Sequence, residues 1–163
     1  PASSVDRTFP VVVGTRFTFR GKTPSGKDDT WSAELVAAGD VFQYEPHHDV
    51  ANWFSKAGFD VISGGILVVG ESLADPPPPA LAVAFPFKKG TSNEVPGVFP
   101  CVYTVVDREK VTVPVGSFDT WKVLLKDTVN PAGAVWIAPG TGIVKIQLPS
   151  GRIDELVSIQ PPG

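Results

Sequence analysis

Glycine and proline supply 33 of the 163 residues and stand between short apolar runs, which is the punctuation of short strands. The residues between them agree with this. Val, Ile, Phe, Tyr, Trp and Thr fill 58 positions, 24 of them Val, and these side chains suit a pleated, half-buried surface better than a helix. The expected fold is mainly β. At 42% hydrophobic the chain is too apolar for composition-driven disorder, and at 17.3 kDa it can bury roughly two thirds of its unfolded surface without metal or disulfide staples.

Phe17 and Phe19 alternate with Arg16, Thr18 and Arg20, so the two rings share one face of a strand. Turn chemistry at 23–28 and again at 38–40 predicts an opening meander of three strands, at 16–20, 30–37 and 41–45. Runs at 59–62 and 66–69 flank a hairpin turn at 63–65. The second half predicts strands at 80–87, 98–106, 110–113, 120–128, 134–138, 142–148 and 152–159, with turns at 107–109, 115–117 and 130–133. Ten or eleven such strands in a flat sheet would leave long edges open, so a large curled antiparallel sheet, a barrel or half-barrel, is expected.

One short helix is predicted near 49–57. Asp49 serves as N-cap, Gly58 can take the left-handed C-terminal position, and Val50, Trp53, Phe54 and Ala57 share a face that would plug one side of the sheet. The four prolines after Asp75 predict a stiff surface loop at 75–79 inside a single β domain spanning 1–163, because too little chain lies on either side for two cores.

Net charge −3 with no basic run argues against nucleic-acid binding, and no apolar stretch reaches the roughly 20 residues of a membrane-spanning helix. The single cysteine, Cys101, lies in an apolar run and reads as buried and inert. The Pro-Ala-Ser-Ser start reads as the stretch that follows a removed signal or lipid-attachment segment, so a periplasmic or extracellular place is expected, with a lipid anchor through a missing N-terminal segment compatible with it.

The sequence V-P-V-G-S-F-D-T-W-K-V at 113–123, followed by W-I-A-P-G-T-G-I-V-K at 136–145, resembles a pattern in uncharacterised bacterial envelope proteins, often lipoproteins. The opening V-G-T-R-F-T-F at 13–19 is similar to their first strand. The resemblance covers about a third of the chain and implies a curved antiparallel sheet in the cell envelope. Carriers of lipids and lipidated proteins within that broader architecture hold acyl chains inside a half-barrel. The matched positions are turns and core, so no ligand residue transfers, and the insert at 46–79 departs from the pattern. Glycines at 116, 140 and 142 are expected to shape hairpins there.

The one concentrated group of titratable residues is Glu45, His47, His48 and Asp49, which contains both histidines. A histidine beside a carboxylate can move protons near neutral pH, so an acid/base site for isomerisation, elimination or cyclisation is one reading. In an extended segment His48 points away from His47 and Asp49, and a polar loop whose last residue caps the helix is the plainer reading. Adjacent histidines lack metal-ligand spacing, so neither a metal nor a cofactor is expected. The leading expectation is a noncatalytic envelope domain that binds a hydrophobic small molecule, a lipid or a protein partner, with Phe17, Phe19, Tyr44, Trp53, Phe54, Trp121 and Trp136 as candidate lining residues. The barrel enzyme is the alternative, and a purely structural interaction domain with no small-molecule site is the third.

Overall fold

The computed structural model describes residues 12–38, 41–46, 59–62, 65–68, 80–96, 100–129 and 131–163; at 37–38, 41–46, 59–62 and 68 the account is of backbone pairing alone. Every element among the described residues is a strand: β1 (Arg16–Lys22), β2 (Asp28–Ala38), β3 (Val41–Pro46), β4 (Phe59–Ile62), β5 (Gly65–Val68), β6 (Ala80–Ala84), β7 (Ser92–Val95), β8 (Cys101–Val113), β9 (Gly116–Lys126), β10 (Gly133–Ala138), β11 (Gly142–Gln147) and β12 (Ile153–Gln160). The predicted helix at 49–57 and the proline loop at 75–79 lie outside the described residues.

The twelve strands form one antiparallel sheet in the order β6-β5-β4-β3-β2-β1-β12-β11-β10-β9-β8-β7. All neighbours are consecutive in the chain except β1 and β12, which pair from Arg16↔Gln160 to Arg20↔Glu155 and so tie the two halves together. The two edges, β6 and β7, are themselves consecutive in sequence. They meet without a ladder, bridged by the Asn93 side-chain amide donating to the Ala82 carbonyl at 3.2 Å. The sheet therefore curls until its edges touch, an incompletely closed barrel with one seam.

Alternation decides which side is inside. In register, Val105, Val123, Val135, Ile146 and Asp154 lie side by side across β8 to β12, and all five are buried. Phe17, Phe19, Trp31, Ala33, Leu35 and Leu156 continue this inner face across β12, β1 and β2, and Ile66 pairs with Val83 on the far side. Phe19 and Trp31 stack with ring centroids 4.7 Å apart. Burying each large apolar side chain contributes about 1.5–3 kcal/mol, and a register slip of one residue would turn the whole set outward.

Two predictions need correction. Residues 107–109 are not a turn: β8 runs through them for 13 residues, and the extra residue between Val105 and Asp107 is taken up as a bulge. The polar run belongs to a strand reaching into solvent, where the Asp107 carboxylate accepts its neighbour Arg108's N–H at 2.8 Å. The reversal comes at Pro114 and Val115, with Val113 opposite Gly116. The short strand β7 was also missed, since its Ser-Asn-Glu start carries no apolar alternation.

The β8 bulge also changes which face is covered. Below it the inner residues Tyr103, Val105, Val123 and Leu125 are buried. Beyond it Val111, Val113 and Thr120, on the opposite face, are the buried ones, while Arg108, Lys110 and Asp119 of the inner face meet solvent. A bulge with its added twist is the ordinary way a long hairpin changes the side it packs.

Candidate aromatic rim at the sheet seam

Solvent reaches the inner face where this change occurs. Trp121 on β9 pairs with Ile137 on one side and with Arg108 on the other. Ile137 is fully buried, Trp121 half-buried and Arg108 exposed, so burial fades along the row toward the seam. The connector from β6 to β7 delivers two more rings to this place. Phe87 lies nearly parallel to Trp121, with centroids 5.9 Å apart and 19° between planes, and Phe85 tilts against Phe87 at 5.3 Å. Both phenylalanines are half-buried.

Local chemistry holds the connector there. The Gly90 N–H donates to the Val105 carbonyl at 2.8 Å, and the Val105 N–H donates to Thr91 at 2.9 Å, extending the β7–β8 ladder past the strand end. Gly90 has φ +87°, a backbone conformation that a side chain would strain. Lys89 reaches Asp107 at 3.4 Å. That exposed pair and the Arg108 N–H keep the Asp107 carboxyl below its usual range, the backbone N–H being the larger cause. The Arg108 guanidinium stands 5.5 Å from the Trp121 ring centroid, within cation–π range. Three half-exposed aromatic rings and one cation can hold an apolar molecule and contact its polar end.

Phe17, Phe19 and Trp136 are not brought to this rim. Phe17 and Phe19 are sealed in the core, Phe17 pairing with Ala33 and Phe19 stacking on Trp31. Trp136 is buried on the opposite face of the sheet. Lys122 of β9 and Lys145 of β11, its register partners, place their ammonium groups 5.2 Å and 4.8 Å from its ring, and its indole nitrogen has no hydrogen-bond acceptor. Tyr44 pairs with Leu35 and Glu45 with Glu34 in the β2–β3 ladder. His47, His48, Asp49, Trp53 and Phe54 lie outside the described residues. Phe85, Phe87 and Arg108 were missed as site residues. The phenylalanines read as the end of a strand and the arginine as part of a turn, and only the long-range pairing of β8 with β9 unites them.

A second polar centre is fully satisfied. The Asp154 carboxylate, 1% exposed, accepts the Trp31 indole N–H at 3.2 Å and guanidinium N–H groups of Arg152, the shortest at 2.8 Å. Arg152 also reaches Asp29 at 2.9 Å. Burial alone lowers the guanidinium pKa, but its bonds to both carboxylates outweigh that and raise it. Every group in this cluster is engaged by another, which fits a structural clamp joining β2 to β12. Burial also pushes the Cys101 thiol up to about 11, with the Asp127 charge adding to it. Among the described residues no three His, Cys, Asp or Glu side chains gather as metal ligands, and no helix is long and apolar enough to cross a membrane.

No protein-family model matches the chain, and no curated protein matches it. Solved structures do. A candidate lipoprotein from Parabacteroides distasonis aligns at a TM-score of 0.51 and 14% identity, over 95% of this chain and 100% of that one. A candidate exported protein with a YmcC-like fold from Bacteroides fragilis aligns at 0.53 and 14% identity, over 95% and 99%. A LolA superfamily protein from Nitrosomonas europaea aligns at 0.31 and 9% identity over 99% and 90%, too low a similarity to argue from. The first two share this chain's fold, a large curled antiparallel sheet.

Proposed function

We propose that this chain is a noncatalytic β domain of the bacterial cell envelope that takes up an apolar small molecule or lipid at the rim formed by Phe85, Phe87 and Trp121. The observation that carries this reading is the stack of Phe87 on Trp121 at the seam, half-buried beside the sealed row of Val105, Val123 and Val135. Exposed aromatic surface at the end of a closed apolar interior costs free energy unless something covers it, and a ligand is an economical cover. The placement in the envelope draws support from the two structural relatives, one a candidate lipoprotein and the other a candidate exported protein.

Titration with a neutral apolar fluorophore such as N-phenyl-1-naphthylamine tests it. One saturable site per chain is expected, weakened about tenfold or more in W121A, because removing the indole forfeits both stacking and apolar contact area. Absence of saturable binding, or equal binding by W121A, contradicts the proposal.

A further inference from the structure

We propose that Arg108 sets the charge of the ligand: the molecule held at this rim is a single-chain anionic amphiphile, a long-chain carboxylate whose chain lies on Phe85, Phe87 and Trp121 and whose head group meets the Arg108 guanidinium. This rests on the reading of the rim as an apolar binding site.

Several of the other cations are engaged by carboxylates. Arg152 is engaged by Asp29 and Asp154, Arg16 by Glu34, Lys22 by Asp28 and Lys89 by Asp107. Arg108 has no ion pair among the described residues, and its register partner is Trp121 rather than an acid. Of the two carboxylates adjacent in sequence, Asp107 is bound by Lys89 and by the Arg108 backbone N–H, not by the guanidinium, and Glu109 pairs with Thr120 on the opposite face. Arg108 therefore keeps a planar fork of N–H donors free while its guanidinium carbon stands 5.5 Å from the indole ring centroid.

That geometry fits one chemical class. A guanidinium beside an aromatic face matches a carboxylate with two parallel N–H···O bonds, and such charge-assisted bonds are stronger than neutral ones. A fully apolar molecule would leave the fork unused, and a small hydrophilic anion would leave the three rings uncovered. An apolar chain ending in a carboxylate satisfies both. The exposure of Arg108 and the half-burial of the rings put head group and chain in the right order, with the charge outward.

The test compares oleate with oleyl alcohol, which share a chain and differ in the head group, each kept below its aggregation concentration and read by displacement of N-phenyl-1-naphthylamine. The wild-type chain is expected to bind oleate at least about tenfold more tightly than the alcohol. In R108Q the two affinities are expected to converge within about twofold, and a thermal unfolding midpoint close to that of the wild type shows that the variant is folded. R108K, which keeps the charge without the fork, is expected to fall between. Equal affinities in the wild type, or a preference for oleate that survives in R108Q, overturn the role of Arg108 and leave the apolar rim standing. Failure of both ligands to bind the wild type removes the rim itself as a binding site, and this proposal with it.

Discussion

Asn93 of β7 and Ala82 of β6 are joined by a side-chain amide to carbonyl hydrogen bond of 3.2 Å, across the one place where neighbouring strands of the barrel share no ladder. Among the described residues this side-chain bond bridges the seam, whereas the other strand junctions are held by backbone ladders. A barrel closed by a full ladder has no edge, and this one retains two short ones facing each other. The aromatic rim lies at that interruption.

The seam bond gives the first prediction. N93A removes it, with an expected loss of about 1 kcal/mol in denaturant unfolding. Amide hydrogen exchange should quicken in β6 and β7 while β1 and β12, bound through their ladder, stay unchanged. Uniform acceleration throughout the sheet would show that the bond has no special place at the seam.

The buried clamp is far less tolerant. Asp154 binds Trp31 and Arg152 at once, so D154A leaves a buried indole N–H without its acceptor and the half-buried Arg152 guanidinium with Asp29 alone, and about 1–3 kcal/mol of stability should be lost. G21A attacks the same place from β1, because a methyl group there would lie 2.4 Å from an Asp154 carboxylate oxygen. Both variants should lower the thermal midpoint by several degrees. A wild-type midpoint in G21A would mean that the carboxylate can move aside without cost.

Two buried tryptophans should respond differently to the same substitution. W31F removes a donor from the Asp154 carboxylate, whereas W136F removes an indole N–H that bonds nothing. The first is expected to cost at least about 1 kcal/mol more than the second in chemical denaturation. Equal losses would show that the Trp31 bond carries no net stabilisation.

Cys101 supplies a pH prediction. With its thiol raised from 9.0 to about 11, mainly by burial, it should react with iodoacetamide at pH 8 about 100-fold more slowly than an ordinary cysteine, because the thiolate fraction falls in that ratio. The sign for stability follows from the same shift. The folded state holds the proton more tightly than the unfolded one, so the contribution is complete below pH 9 and fades as pH rises from about 9 to about 11. C101A should lack that decline.

Much of the fold is legible in the chain because local pattern and tertiary place agree. Phe17 and Phe19 alternate with Arg16, Thr18 and Arg20 in the sequence, and in the structure the two rings are buried while both arginines are exposed. The strands at 59–62 and 133–138 fall within a residue of where their flanking glycines predict them. Residues 107–109 misled because Asp, Arg and Glu in a row look alike in a turn and in the solvent-exposed part of a long hairpin. The bulge that separates the cases depends on pairing with β9. The clamp joins Trp31 to Asp154 across 123 positions, and no local signal marks such a pair. The rim was half visible: Trp121 was identified as a candidate, but Phe87 and Arg108 gain meaning only when three strands and a connector meet.

The most direct measurement of the central claim is the indole region of a proton–nitrogen correlation spectrum recorded while oleate is added. The account predicts that the Trp121 indole resonance moves in a saturable manner, while those of Trp31, bonded to Asp154, and Trp136, buried on the other face, hold their positions. A stationary Trp121 resonance beside a moving Trp31 or Trp136 resonance would contradict it, since the ligand would then occupy the core or the opposite face instead of the rim.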